Sequence, residues 1–114
     1  MKGLIDCHPE LKPHLLGNSG FHGSINDYTE AEAVILGLPM DYTVSFRPGA
    51  RLGPERIREV SYGLELYSWH LDRSLADLKY YDAGDLNLPY GNVRASLEAI
   101  RTAVATVLKD GKLP

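Results

Sequence analysis

A single cysteine, Cys7, occurs in the 114 residues, so no disulfide can close within the chain. That usage fits a reducing compartment. No apolar run approaches the roughly 18 residues of a membrane span, and Asp6, His8 and Glu10 interrupt the stretch where a signal peptide needs unbroken apolar residues. Charge of one sign is also missing. Twelve basic and 15 acidic residues leave a formal charge of -3, which gives no drive toward nucleic acid or an anionic membrane. These absences lead us to expect a cytoplasmic, soluble chain that binds neither nucleic acid nor membrane. Repeats and low-complexity tracts are absent as well.

Residues 1–30 hold Pro9, Pro13, Gly17, Gly20 and Gly23 and few apolar residues in any period, which predicts an N-terminal arm or surface-draped loop. Residues 31–114 are organised. Ala33-Val34-Ile35-Leu36, closed by Gly37 and Pro39, is short, β-branched and apolar on both faces, as in a strand of a covered parallel sheet. A loop from Met40 to Gly53 follows. A helix is then predicted from Pro54, with Ile57, Val60 and Leu64 on its apolar face and Arg56, Arg58 and Glu59 off it. Leu71, Leu75 and Leu78 suit a short helical turn. Lys79-Tyr80-Tyr81 reads as a second strand that ends in a turn at Asp82-Ala83-Gly84-Asp85.

The last helix has the clearest pattern. Asn92 is placed to cap it, Val93, Leu97, Ile100, Val104 and Val107 step by four and three, and Gly111 suits the left-handed position after its end. Lys112-Leu113-Pro114 resembles the run-in to a further strand. The order predicts an α/β fold with a parallel sheet. Function in such sheets gathers at the carboxyl ends of strands, which here means the loops Asp41 to Gly53 and Asp82 to Gly91.

Several residue groups on these loops invite chemistry. Arg47 and Arg51, with Gly49 and Gly53 before a helix N-terminus, could hold an anion or pair with carboxylates locally or across a subunit contact. Asp82 and Asp85 could bind a hard cation or shape the turn through their own backbone. Cys7, His8, His14 and His22 match no zinc spacing, and His70 beside Trp69 reads as a partly buried packing residue. Ser45 has no evident base. Tyr62, Tyr67, Tyr80, Tyr81 and Tyr90 lack an accompanying basic stripe and read as packing and interface residues rather than base-stacking platforms.

Beyond spacing, a series of segments carries a resemblance. Gly37-Leu38-Pro39-Met40-Asp41, Ser45-Phe46-Arg47-Pro48-Gly49-Ala50-Arg51-Leu52-Gly53-Pro54 and Ile57-Arg58-Glu59 resemble the N-terminal signature of the ureohydrolase (arginase/agmatinase) family. Leu64-Glu65-Leu66-Tyr67-Ser68, Leu71-Asp72-Arg73, Tyr81-Asp82-Ala83-Gly84-Asp85-Leu86 and Leu88-Pro89-Tyr90-Gly91-Asn92 continue it, in the agmatinase branch. The resemblance covers roughly Phe21 to Pro114.

It implies a three-layer α/β/α fold with a parallel sheet, here as its N-terminal portion. It implies hydrolysis of a guanidino substrate to urea and an amine: agmatine to putrescine, a step of polyamine biosynthesis, or the related reactions on guanidinobutyrate, formiminoglutamate or arginine. It implies two Mn²⁺ ions in a homo-oligomer. The family's metal-binding motifs, Gly-Gly-Glu/Asp-His, Asp-Ala-His-x-Asp and Ser-x-Asp-x-Asp, do not occur in these residues. The expectation is therefore an incomplete N-terminal part of the enzyme, without catalytic or metal-binding residues, inactive and poorly stable alone. Asp41, Thr43, Ser45, Arg47 and Arg51 are expected at the pocket rim or a subunit contact. The other reading is a small non-enzymatic domain that binds anions or another subunit through the Arg47–Arg51 loop.

Overall fold

The structure, a computed structural model, describes residues 1–17 and 20–114. Two of its strands, β2 (Ala33–Gly37) and β5 (Tyr80–Leu86), pair in parallel, as the apolar, β-branched run of β2 leads one to expect. The short β1 (Leu15–Leu16) runs antiparallel to β5, giving the order β1-β5-β2. Leu113 makes a parallel bridge to Ala33, with the Val34 amide donating to the Leu113 carbonyl at 2.7 Å. Leu113 is thus a second parallel neighbour of β2, on the side away from β5, where the Lys112-Leu113-Pro114 run-in suggested a strand.

One sheet face carries the core. Val34 and Leu86 pack against α3 (Val93–Lys109) through Ala103 and Val107, with Ile100 beside them. The Asn92 side chain accepts from the Ala95 amide at 3.1 Å and caps α3. Gly111, at φ 73°, turns the chain out after the helix so that the Lys112 amide returns to the Val107 carbonyl at 3.2 Å. The helix is rotated slightly from the expected stripe. Ser96, Ala103 and Val107 are its buried positions, while Leu97 is exposed.

The N-terminal residues do more than drape the surface. Helix α1 (Leu4–Cys7) and the 3-10 turn Pro9–His14 bring Leu4, Leu11 and Leu15 into the core, where Tyr28 joins them. Each such burial contributes about 2 kcal/mol. Periodicity missed these residues because the helical pieces are too short to show a stripe.

Three further expectations are corrected. Asp82 and Asp85 lie inside β5, not in a turn after it. Ile35 pairs with Asp82 and Gly37 with Asp85, so β5 holds one extra residue there, and Gly84 takes it up at φ 82°. Residues 66–78 form the hairpin β3 (Tyr67–Ser68) and β4 (Arg73–Ser74) with a 3-10 turn at Leu75–Asp77, and Leu71, Leu75 and Leu78 are exposed. His70, expected partly buried, is exposed against Trp69.

The largest correction concerns α2 (Gly53–Ser61). Its apolar residues Ile57 and Val60, with Leu64 just beyond, are 58%, 62% and 63% exposed, while Arg58 and Ser61 are buried. The helix meets the sheet with its polar face because Arg58 reaches the two β5 carboxylates. The same sheet face is left partly uncovered. A cavity of about 470 Å³ lies among Phe21, Ile35, Leu75, Leu78, Tyr80 and Leu113, and one of about 230 Å³ lies beside Leu38, Pro54 and Ile57.

Candidate functional site at the carboxyl ends of the strands

The loops after β2 and β5 meet at the carboxyl edge of the sheet, and three polar knots fix them. The first is Asp41, buried at 4% exposure. One of its carboxylate oxygens accepts from the Gly49 amide at 2.7 Å, the Arg51 guanidinium at 2.8 Å and the Arg51 amide at 3.4 Å. Burial would raise this carboxyl, but these donors outweigh it and hold it below the usual carboxylate range. Residues 41–49 thus close into an arch. Gly49 sits at φ 136°, a conformation that only glycine adopts without strain.

The arch answers the anion reading of Arg47 and Arg51. The anion on the Gly49 and Arg51 amides is the chain's own Asp41. Arg51 pairs locally, and the non-enzymatic anion-binding alternative loses its site. Thr43, Ser45 and Arg47 stand exposed on the arch. Arg47 lies 5.2 Å over the Phe46 ring, and Phe46 is itself 81% exposed. Ser45 has no hydrogen-bonded base among the described residues. If Asp41 closes the arch, Asp41→Ala should open it. Chymotrypsin should then cut after Phe46 faster than in the parent protein, with Tyr67 in the hairpin as an internal reference; an unchanged rate would contradict the closure.

The second knot joins the two loops. The Ser96 hydroxyl, fully buried at the start of α3, donates to the Pro89 carbonyl at 3.2 Å, so Tyr42 is the donor in its short hydrogen bond to Ser96. Tyr42 also meets Tyr90 edge to face at 5.6 Å.

The third knot lies beneath. Arg58 grips Asp82 through two bonds, Nε to Oδ2 at 2.7 Å and Nη2 to Oδ1 at 2.8 Å, and donates a third, short bond to Asp85. Asp82 also accepts from the Phe21 amide at 2.8 Å and the Gly84 amide at 2.9 Å. The Asp82 bond holds Arg58 firmly protonated against the opposing effect of burial. Burial alone would raise the Asp82 carboxyl, yet Arg58 and the two amides lower it.

A carboxyl depressed by folding stabilises above its unfolded pKa, and that stabilisation is lost as pH falls through the lower folded value. The thermal midpoint should therefore not fall until about pH 4 and should drop steeply below it. A midpoint already falling between pH 7 and 5 would count against the clamp.

This geometry decides the metal question for Asp82 and Asp85. The guanidinium of Arg58 occupies the position of a counter-cation, so the pair does not fit a metal ion. Among the described residues no group of three or more His, Cys, Asp or Glu side chains comes together to hold one. His8 contacts Glu10 and Asp110, whereas His22 stacks on Tyr62 and holds the Ser61 backbone.

Sequence reasoning missed Arg58, Ser61, Tyr42 and Ser96. For Arg58 a signal existed: two aspartates three apart in a strand need a cation, and an arginine stands off the apolar stripe of the preceding helix.

The arginase family model matches residues 31–114. The chain belongs to the arginase family. Among its arginase-family relatives, the agmatinase of Bacillus subtilis (strain 168) is 55% identical over 94 residues, covering 82% of this chain and 32% of that protein. The solved agmatine ureohydrolase of Thermoplasma volcanium superposes with a TM-score of 0.78 at 29% identity, over 93% of this chain and 36% of that one. A Trypanosoma cruzi formiminoglutamase solved with Mn²⁺ superposes at 0.66 and 30% identity, over 79% and 32% respectively. The chain thus spans about a third of the length of the arginase-family relatives it matches, and the fold expected from the resemblance is the one observed. No helix among the described residues is long and apolar enough to cross a membrane.

Proposed function

We propose that the protein carrying this chain hydrolyses agmatine to putrescine and urea, in the cytoplasm, as a homo-oligomer and with two Mn²⁺ ions. The observation that carries the reading is the high identity to a bacterial agmatinase. It runs through most of this chain, far above what the fold alone requires.

When bound, an Mn²⁺ pair would supply an activated hydroxide to attack the guanidinium carbon. The residues described here do not fit those ions, and no step is assigned to them. What this chain contributes is placement. The Asp41–Gly49 arch, with Thr43, Ser45, Arg47 and Arg51, forms the rim of the pocket or its contact with a neighbouring subunit. The Tyr42–Ser96 knot fixes that rim to α3, and Arg58 holds the strand end below it. The exposed apolar face of α2 supports burial of this region in a larger assembly.

The test is product release by the full-length protein supplied with Mn²⁺. Agmatine, guanidinobutyrate and arginine are assayed for urea, and formiminoglutamate for its disappearance. Urea and putrescine in equal amounts from agmatine, at a higher kcat/KM than any other compound, is the expected result. Turnover of another compound with agmatine untouched would overturn the substrate assignment. The 114-residue chain alone should release no urea.

A further inference from the structure

His8 lies far along the chain from the carboxyl-edge loops, and its surroundings are unusual. Its Nε2 is 2.6 Å from Asp110 Oδ2 at the end of α3, and its Nδ1 is 3.2 Å from Glu10 Oε1. Both ring nitrogens therefore face carboxylate oxygens. A neutral imidazole carries one N–H and can satisfy only one of them; the imidazolium satisfies both.

The elements packed around the ring supply the remaining charged and titratable groups. Tyr28 meets the ring edge to face at 6.2 Å and donates its hydroxyl to the same Asp110 oxygen at 2.6 Å. Lys112 lies 4.9 Å over the Tyr28 ring and donates to the Ala31 carbonyl at 2.6 Å. Cys7 is the adjacent thiol on α1.

The segment that His8 anchors has something to lose. Residues 1–16 place Leu4, Leu11 and Leu15 in the core and lay β1 along the edge of β5. The His14 carbonyl accepts from the Asn87 amide at 2.9 Å, and the Lys2 carbonyl from the Tyr28 amide at 2.7 Å.

We propose that His8 is a pH-sensitive clasp holding the N-terminal segment on the end of α3, closed when the imidazole is protonated and loosened when it is neutral. On losing a proton the ring keeps its N–H toward one carboxylate and turns a lone pair on the other. One hydrogen bond loses the charge on its donor and weakens, and the other contact becomes repulsive. Burial opposes the charged form, but Asp110 and Glu10 outweigh it and raise the His8 pKa. The sign follows: the clasp is fully closed below the ordinary histidine value of about 6.5 and loosens as pH rises above it, through the higher folded value.

Hydrogen exchange read by mass spectrometry tests this in the full-length protein, following peptides that cover residues 1–17 and the Asn87 amide and correcting for intrinsic rates. Protection should fall about fivefold as pH rises through the His8 titration, the difference between a charge-assisted and an ordinary hydrogen bond. His8→Gln should abolish the step, because glutamine does not titrate. Glu10→Gln alters a side chain 65% exposed, so the fold is retained, and it should move the step to lower pH. A flat wild-type profile, a step that persists in His8→Gln, or a step unmoved in Glu10→Gln would each overturn the clasp. Should His8→Gln fail to fold, the Glu10→Gln shift alone decides.

Discussion

Arg58→Ala lowers the free energy of unfolding by about 3–5 kcal/mol, the range for removing one partner of a buried ion pair. The reason is the pair of carboxylates left behind. Asp82 and Asp85 lie inside a strand with side chains 1% and 11% exposed, and Arg58 is the cation that faces both. Two further consequences separate this account from a loss of packing. Arg58→Met, of similar length, should recover little of the loss, because the charges stay unpaired. Arg58→Met combined with Asp82→Asn and Asp85→Asn should recover much of it, since removing both signs together avoids the buried charge. Denaturant midpoints measure each. Arg56→Ala is the control on the same helix; its partner Glu59 is exposed and the midpoint should not move.

Gly37→Ala carries the second largest effect, about 2–3 kcal/mol of destabilisation, as expected for overpacking. A Cβ built at Gly37 falls 1.8 Å from Asp85 Oδ1 and 3.0 Å from the Pro54 Cβ. That Asp85 oxygen is the one Arg58 donates to, so the new methyl group pushes Asp85 away from the clamp and presses on the first turn of α2. The effects of Gly37→Ala and Arg58→Ala should therefore fall short of additivity, because each breaks the same contact. Full additivity in a double-mutant cycle would show that the two residues act apart. Gly49→Ala, with nothing near its Cβ but a φ of 136°, should destabilise through backbone strain alone and add fully to Arg58→Ala.

These two predictions mark where the sequence was readable and where it was not. β2 was legible because Ala33–Leu36 is apolar on both faces and closed by Gly37 and Pro39, a purely local signal. So was α3, where Asn92, a sustained period and Gly111 agree with one another. The facing of α2 was not. An apolar stripe ordinarily marks the buried side, yet Ile57 and Val60 face outward because Arg58 is drawn inward by residues 24 and 27 positions later. No window along the helix contains that information. The N-terminal segment failed for a different reason. Leu4, Leu11 and Leu15 reach the core from a four-residue helix and a 3-10 turn, lengths at which no hydrophobic period can build up.

At the site, the rule that function gathers at strand ends pointed to the loops after β2 and β5, and the resemblance pointed within the first of them to Asp41, Thr43, Ser45, Arg47 and Arg51. The structure divides that set. Asp41 and Arg51 hold the arch closed, whereas Thr43, Ser45 and Arg47 stand on its exposed side, next to Phe46. The division could not be read from spacing, since it depends on Asp41 reaching across the loop to the Gly49 amide.

The most direct test of the site assignment is therefore made on the exposed side of the arch, which can be altered without touching its closure. Steady-state kinetics on agmatine and sedimentation velocity would be run on the full-length protein with Phe46→Ala and Arg47→Ala together. If the arch borders the pocket or a neighbouring subunit, KM rises or the assembly becomes smaller, while the denaturant midpoint of a matched monomeric state is unchanged. Wild-type KM and wild-type assembly in the same variant would contradict the account.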